Sequence, residues 1–319
     1  MKLKHKTSLT FYPTPPFHFD ATLHKPSHFP SSDNAWKKGK YCITMRWQNQ
    51  KLGLKLENKG TTIKPKVLIT IYSKEKLTKD FILTLKPELE WRFNLKTELA
   101  DFFNQFKNDR VLKSIFKKWK GSRPVSANSL YETLVIYVVL QNATVRRSVQ
   151  MLENLFKKYG SKLEFDRQKL SCFWTPQELD KVPERDLRRL KVGYRAKFLK
   201  RISKQFAKGE INEFAMRKMT NQQIENEVLK LYGIGPASVE YLLFEDFYRY
   251  DAFSTIPPWD QKILSRLLFN KKLVPVSKIL KYAKHWGKYK KLAVHYLWED
   301  LFWQRKNKKI EWLEKEIRL

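Results

Sequence analysis

The stretch that decides the fold is residues 229–260, LKLYGIGPASVEYLLFEDFYRYDAFSTIPPWD. Its LYGIG string, residues 231–235, lies between two helical patterns of apolar residues. These are Ile224, Val228, Leu229 and Leu231 before the turn, and Val239, Leu242, Leu243 and Phe247 after it. Two glycines at alternate positions predict a tight turn with positive φ and close backbone approach, and Pro236 fits the first turn of the second helix. The stretch predicts a helical hairpin whose backbone N–H groups can bind a phosphate.

The residues after the hairpin make the pattern more specific, because two alternate glycines alone favour an ordinary core hairpin. Asp251 precedes an irregular Pro-Pro pair, and Trp259-Asp260 opens another amphipathic helix. This ordered set resembles the HhH-GPD superfamily of DNA glycosylases, in which a catalytic aspartate begins the helix after the hairpin. The resemblance implies that Asp260 is the catalytic carboxylate. The spacing between Gly235 and Asp260 is long for the family, and residues 254–258 account for the extra length. This leaves Asp251 as the alternative acid. We interpret Asp251 more simply as a surface or capping residue.

The composition is that of a strongly basic folded protein. The chain has 319 residues, enough for two to three domains, and Lys+Arg of 64 against Asp+Glu of 32 give a net charge of +32. A pI near 10.0 indicates a polyanionic partner, with nucleic acid as the first candidate. A membrane surface is the rival, but the lysines are spread along the chain rather than clustered beside an apolar anchor. A solvated basic surface would show the same charge, so the charge supports the resemblance without deciding it.

Cysteine content and apolar runs limit the cofactors and the compartment. Cys42 and Cys172 are the only cysteines, which excludes a four-cysteine iron–sulfur or zinc site. We therefore expect no iron–sulfur cluster and no required cofactor. The basic N-terminus is followed by no apolar segment, and the longest apolar run, residues 134–140, is too short to span a bilayer. We expect a protein that is not secreted and not membrane-bound, located in the cytoplasm with the nucleoid or in a nucleus.

Residues 1–93 differ from the rest of the chain and predict a small antiparallel sheet domain with one covered face. Strand-like alternation occurs in residues 41–47, 67–72 and 81–85, and turn signals occur at residues 48–49 and 58–60. Structural support is the simplest interpretation of this region. The resemblance adds that the alkylpurine and oxoguanine branches of the superfamily carry an N-terminal sheet domain of this kind.

The helical part begins at residue 94, where apolar residues adopt helical spacing. We predict one helical subdomain from residues 94–124 together with 204–319, and a central one from residues 125–203. The hairpin and its aspartate occupy residues 224–260. The predicted fold is therefore mostly α with a small N-terminal antiparallel sheet. By resemblance it is the HhH-GPD glycosylase fold, with two helical subdomains flanking a catalytic cleft.

Further residues receive roles from the resemblance, which is strongest to bacterial 3-methyladenine DNA glycosylase II and extends to the 8-oxoguanine branch. An apolar helix ends in Gln141-Asn142. These two amides could simply cap the helix. By the resemblance, Asn142 instead fills the gap that the extruded base leaves in the duplex, with Gln141 beside it. Residues 193–196 (GYRA) match a turn of the family. The resemblance also implies a base pocket lined by Tyr241, Trp259, Trp286 and Trp298. For Trp286 and Trp298, helical spacing alone favours a role in the core.

The hairpin residues carry the remaining implications. Gly233, Ile234, Gly235 and Ala237 would contact DNA, and the carbonyls of Leu229, Leu231 and Ile234 would hold a Na⁺ or K⁺ ion. Bifunctional relatives place a Schiff-base lysine where this chain has Ala237. The other lysines should be mostly solvated, so they should stay protonated and poorly nucleophilic. We therefore predict a monofunctional glycosylase without abasic-site lyase activity.

The substrate and partner follow from the same resemblance. An aromatic pocket suits an alkylated purine, whose positive charge attracts aromatic faces. The first alternative is a glycosylase for 8-oxoguanine or another neutral damaged base. The second is a non-catalytic helix-hairpin-helix protein that binds DNA. We expect a monomer that acts on double-stranded DNA containing a damaged base.

Overall fold

The computed structural model describes residues 1–315, apart from the side chain of Ala237. Its N-terminal part forms a five-stranded antiparallel sheet in the order β1-β5-β4-β3-β2, and a separate hairpin pairs β6 with β7. The strands are β1 (His5–Phe11), β2 (Asn34–Lys37), β3 (Lys40–Trp47), β4 (Gln50–Asn58), β5 (Val67–Ser73), β6 (Ser161–Phe165) and β7 (Gln168–Cys172). The predicted N-terminal antiparallel sheet is therefore confirmed.

The remainder of the described chain is mainly helical. The helices are α1 (Phe19–Leu23), α2 (Lys79–Arg92), α3 (Ala100–Phe106), α4 (Leu112–Trp119), α5 (Leu130–Leu140), α6 (Val145–Tyr159), α7 (Pro176–Asp180), α8 (Glu184–Leu187), α9 (Arg195–Ala207), α10 (Glu213–Met216), α11 (Asn221–Leu229), α12 (Pro236–Glu245), α13 (Pro258–Phe269), α14 (Val276–Ala283), α15 (Lys290–Asn307) and α16 (Glu311–Glu314). A π-helical turn (Arg188–Val192) and a 3-10 turn (Lys284–Tyr289) complete the set. Within residues 1–315, no helix is both long enough and apolar enough to cross a membrane.

One predicted strand is wrong. Residues 81–85 belong to α2, where Leu85 and Leu89 are fully buried four residues apart against the sheet. The Thr78 side chain caps this helix by accepting a hydrogen bond from the backbone N–H of Phe81 at 3.2 Å. The third long strand is β4, which pairs with β3 through a turn at Gln48 and Asn49, both with positive φ. The strand preference of residues 81–85 is thus outweighed by the Thr78 cap and by the burial of Leu85 and Leu89 on one face of the helix.

Two apolar cores hold the helical part together. One core is built mainly from α5, α6, α9 and α11, and the other mainly from α3, α4, α13 and α15. Helix α12 contributes to both, with Leu242 and Leu243 in the first core and Phe244 in the second. The second helix of the hairpin therefore lies at the junction of the two cores, which is where a cleft between helical layers opens.

Candidate active site

The hairpin has the predicted form, but its two glycines differ. Gly233 has φ of 89°, and a Cβ on it would lie 2.6 Å from the Phe198 ring. Gly235 has φ of −112° at the N-cap of α12, and among the described residues, its two chain neighbours aside, no group lies within 4 Å of a Cβ placed there. Only Gly233 is therefore required by the fold. The open space at Gly235 is available to a group from outside the chain.

The flanks of the hairpin agree with the pattern at most positions. The apolar residues of the two helices are buried except Leu229, the last residue of α11, which is 40% exposed. Pro236 occupies the first turn of α12, as predicted. The side chain of Ala237 lies outside the described part of the structure.

The two predicted wedge residues lie beside the hairpin. The Gln141 side-chain amide donates to the carbonyl of Gly233 at 2.7 Å, and Asn142 is exposed with φ of 48°. The Asn142 amide donates to the Tyr194 hydroxyl at 3.3 Å, and the buried Arg195 guanidinium donates to the carbonyl of Gln141. The Gly-Tyr-Arg turn thus joins the end of α5 to the hairpin, and it holds Asn142 at an exposed tip.

Asp260 lies in the first turn of α13 and is only 5% exposed. One carboxylate oxygen, Oδ2, accepts a hydrogen bond from the Tyr241 hydroxyl at 3.0 Å, whereas Oδ1 has no partner within residues 1–315. Burial raises the pKa of Asp260 from 3.8 to about 6, against the lowering effects of the Lys291 charge and the Tyr241 hydrogen bond. A buried carboxylate with one free oxygen costs the fold stability, which is common at functional sites.

The extra length before Asp260 is anchored to the hairpin. Glu240, a buried residue of α12, accepts three hydrogen bonds through Oε1. They come from the backbone N–H of Ser254 at 2.7 Å, the Ser254 hydroxyl at 2.6 Å and the backbone N–H of Thr255 at 2.6 Å. The longer loop is therefore held in place against α12. Asp251, the alternative acid, is exposed and accepts from the Asn221 amide at 3.3 Å.

A cavity of about 470 Å³ opens beside Tyr241 and Trp259, and Asp260 itself is not among the residues that line it. The residues around it come from α5, α12, α13 and α15, together with Ser27 from the N-terminal part. They are Ser27, Tyr137, Leu140, Gln141, Ser238, Tyr241, Phe244, Glu245, Trp259, Lys291, Val294, His295, Trp298, Glu299 and Phe302. Asp260 lies directly behind this wall, since its hydrogen-bond partner Tyr241 and its neighbour Trp259 both line the cavity.

Three of the four predicted pocket aromatics line the cavity. Tyr241 and Trp259 are on the Asp260 side, and the Trp259 ring lies 5.1 Å from the Trp298 ring, centroid to centroid. Phe302, which the sequence analysis did not single out, continues this wall at 5.6 Å from Trp298. The result is a continuous aromatic surface with one edge, at Trp259, open to solvent at 43% exposure.

Trp286 is not brought to the cavity. Its side chain has no exposed area, and its indole N–H donates to Asp109 Oδ2 at 3.1 Å in the second core. Gly287, with φ of 53°, interrupts the helical path between Trp286 and α15. This break separates Trp286 from α15, the helix that carries Trp298 to the cavity wall.

The cavity also holds charged and polar groups that the sequence analysis missed. Lys291 is 6% exposed, with its ammonium 4.5 Å from the centre of the Tyr241 ring. Burial lowers the pKa of Lys291 and lowers that of His295 well below its ordinary value. Glu299 accepts from the Ser27 hydroxyl at 2.5 Å, and burial raises its pKa. In the sequence, these residues are marked only by their proximity to Trp298. Lys291 in particular cannot be distinguished by sequence from the many other basic residues.

The match to a known family decides what this site belongs to. The model of the HhH-GPD superfamily base excision DNA repair protein matches residues 135–315. The chain belongs to the HhH-GPD superfamily. It is a DNA glycosylase of this family, and the predicted fold class is confirmed by the helical architecture and the N-terminal sheet.

Known proteins agree with this assignment. A DNA-3-methyladenine glycosylase of Bacillus subtilis (strain 168) is 23% identical over 256 residues, covering 75% of this chain and 83% of that protein. The structure of a 3-methyladenine DNA glycosylase from Archaeoglobus fulgidus has a TM-score of 0.75 at 13% identity, covering 95% of this chain and 99% of that chain. A Clostridium acetobutylicum 8-oxoguanine glycosylase/lyase bound to double-stranded DNA has a TM-score of 0.69 at 19% identity, covering 96% and 99%. Both structures support the fold.

Proposed function

We propose that this HhH-GPD protein removes a damaged base from double-stranded DNA with Asp260 as the catalytic carboxylate. The observation that carries the proposal is a buried carboxylate with a free oxygen beside an aromatic cavity. Loss of a base leaves positive charge on the deoxyribose ring, and a carboxylate held in a poorly solvated site stabilises that charge. The free Oδ1 can also orient the attacking water. Such a site is unexpected in a protein that only binds DNA, which argues against the non-catalytic alternative.

DNA binding is assigned to the hairpin and the wedge. The N-terminus of α12 presents backbone N–H groups at Gly235, where the protein itself leaves the space open. A net charge of +32 supplies sequence-independent attraction to phosphates. Asn142, exposed and tied to the hairpin through its neighbour Gln141, would fill the gap left by the rotated nucleotide.

A monovalent cation fits the chemistry of the hairpin. Leu229 ends α11, and its carbonyl is one of the helix-end oxygens without an intrahelical partner. With the carbonyls of Leu231 and Ile234 it would form an oxygen-only donor set at the negative end of the helix dipole. A bound Na⁺ or K⁺ would supply positive charge toward a DNA phosphate. The residues of the chain would hold it through backbone atoms alone.

The first candidate substrate is an alkylated purine. Tyr241, Trp259 and Trp298 give the cavity aromatic faces, which attract the positive charge of an N3- or N7-methylated purine. Such a base is already activated to leave and needs no general acid. The relative in Bacillus subtilis is named as a DNA-3-methyladenine glycosylase, which supports the same choice.

The second candidate is a neutral damaged base such as 8-oxoguanine, and Lys291 favours it. A protonated Lys291 in the cavity wall would repel a cationic base and could donate a hydrogen bond to a carbonyl oxygen of a neutral one. The Clostridium acetobutylicum structure is named for that lesion.

A panel of defined-lesion duplexes tests the proposal. Each duplex carries one lesion, 3-methyladenine or its stable analogue, 7-methylguanine, 8-oxoguanine or uracil, and released base is quantified under single-turnover conditions. We expect release of at least one damaged base, with the methylated purines fastest. Release of 8-oxoguanine alone would select the second candidate. No release from any lesion, with intact DNA binding, would contradict the glycosylase proposal and leave a DNA-binding protein.

A further inference from the structure

Lys291 differs from every other lysine of the described chain because it is buried. Its side chain is 6% exposed at the start of α15, and it forms part of the cavity wall. The ammonium lies 4.5 Å from the centre of the Tyr241 ring and 5.6 Å from that of Phe253. Among residues 1–315, no carboxylate oxygen lies within 4.0 Å of it and no side-chain hydrogen bond is formed. A buried charge normally has such partners.

Two other buried cations, Arg92 and Arg123, have direct hydrogen-bond acceptors for their guanidinium groups. Arg92 donates to Glu88 Oε1 at 2.7 Å, and Arg123 donates to four backbone carbonyls at 2.6 to 3.0 Å. Lys291 has aromatic faces and an open cavity instead. A buried cation with a structural role would be expected to have hydrogen-bond acceptors such as those of Arg92 and Arg123. The unpaired amine is therefore placed where a ligand, rather than the fold, would use it.

The position of Lys291 relative to Asp260 indicates that its amine can act as a nucleophile. Both groups flank Tyr241, one above its ring and the other at its hydroxyl. Each of the two groups shifts the pKa of the other, so a deoxyribose held at Asp260 would lie near the Lys291 amine. Desolvation in an apolar pocket makes a lysine more nucleophilic, because it raises the fraction of neutral amine, and the pKa of Lys291 is lowered in this way.

We propose that Lys291 is a catalytic nucleophile that attacks C1′ of the abasic deoxyribose and gives the protein abasic-site lyase activity. This inference rests on the proposed function, which creates the abasic sugar at this site. It replaces the expected absence of lyase activity, which assumed that the lysines of this chain are mostly solvated. The hairpin position carries Ala237, so the amine would come from the start of α15 instead.

The reaction balances without an oxidant or reductant. The Lys291 nitrogen forms a bond to C1′ of the ring-opened sugar, and the aldehyde oxygen leaves as water to give an imine. A base removes a proton from C2′, for which the Asp260 carboxylate is the adjacent candidate. With the protonated imine as the electron sink, the electron pair of that C–H bond forms a C2′–C3′ double bond. The C3′–O bond breaks and the 3′ phosphate leaves with its electron pair, which cuts the strand. Water then hydrolyses the imine, which restores the amine and releases an unsaturated aldehyde on the DNA.

Borohydride trapping on a preformed abasic duplex tests this proposal independently of base release. The abasic site is generated beforehand, so the assay works even if the lesion is unknown. We expect the wild-type chain to form a covalent adduct and Lys291→Arg to lower its yield at least tenfold, because arginine keeps the charge but forms no imine. Lys290→Arg is the matched control on the preceding residue of α15, and its adduct yield should equal that of the wild type.

Peptide mapping of the wild-type adduct removes any dependence on variant folding. We expect the sugar remnant on Lys291. An adduct on another lysine or on the N-terminus, equal trapping by Lys291→Arg, or no wild-type adduct would each overturn the proposal. A failed lesion panel with successful trapping on Lys291 would overturn the proposed base release alone. Release of a base without trapping would overturn Lys291 alone.

Discussion

Two segments build the same cavity in different ways. The hairpin segment, residues 224–260, supplies Tyr241, Trp259 and the carboxylate of Asp260. The C-terminal segment, residues 284–302, supplies Lys291, Trp298 and the polar groups around them. In the hairpin segment, glycine and proline positions constrain the backbone, so the residue string itself indicates the geometry. In the C-terminal segment, function depends on which face of a helix meets the cavity.

The two tryptophans of the C-terminal segment show the consequence. Trp286 and Trp298 belong to one recognisable pattern, yet Trp286 is sealed in a core and Trp298 lines the cavity. The positive φ of Gly287 breaks the helix between them. A motif therefore identifies the segment that reaches the site, but the packing of that segment decides which of its residues do so.

The largest effect expected from this comparison concerns Trp286. Trp286→Ala should lower the free energy of unfolding by about 3–5 kcal/mol, because it empties a packed core site and leaves Asp109 without an indole donor. Trp298→Ala should cost less than half of that and mainly reduce base release. Urea denaturation of both variants, with single-turnover base release for Trp298→Ala, checks the contrast. Equal losses of stability would show that both residues serve the core.

The next effect separates the two hairpin glycines. Gly235→Val should leave unfolding nearly unchanged, because the described residues leave space for its side chain, and it should weaken binding to undamaged duplex about tenfold, roughly 1.4 kcal/mol, because that side chain would block the approach of a phosphate. Gly233→Val should destabilise the fold itself, because of its φ of 89° and the Phe198 ring. Fluorescence anisotropy at low and physiological salt, with melting curves for both variants, provides the readout. Wild-type affinity in Gly235→Val would remove the hairpin from the DNA interface.

A smaller effect should appear in the pH dependence of base release. The Asp260 carboxyl has a pKa of about 6, so the ionised form needed for catalysis is present above that pH and is lost as the pH falls through it. The Tyr241 hydrogen bond lowers this pKa, and Tyr241→Phe should therefore move the acid limb to higher pH. Single-turnover rates between pH 5 and 8 measure both curves. An acid limb that stays in place in Tyr241→Phe would show that another group controls it.

Much of the architecture could be predicted from the sequence because its signals are local. The hairpin, Pro236 and the strands at residues 41–47 and 67–72 follow from turn residues and periodicity. The strand predicted for residues 81–85 was wrong because so short a segment fits the periodicity of a strand and of a helix equally well. The Thr78 cap stabilises the helix. The hairpin of β6 and β7 was missed because its strands are short and partly charged.

The candidate site divides in the same manner. Asp260, Tyr241 and Trp259 were accessible from the order of motifs, and the geometry places them together. Lys291 was not accessible, because one lysine in a chain with 64 basic residues is distinguished only by its burial. The bonds from Ser254 and Thr255 to Glu240, which fix the longer loop, also require the fold to be known.

If ionised Asp260 drives base release, Asp260→Asn should lose it and Asp251→Asn should keep it. Burial raises the pKa of Asp260 from 3.8 to about 6, so its ionised form costs the fold about 3 kcal/mol at pH 7. That cost disappears at low pH, and it disappears in Asp260→Asn, which should fold with equal or greater stability at pH 7.

Single-turnover base release by these two variants is the deciding measurement. We predict that Asp260→Asn loses base release by orders of magnitude while keeping duplex affinity and stability, and that Asp251→Asn releases base at the wild-type rate. A stable Asp260→Asn variant that releases base as fast as the wild-type chain would contradict the account.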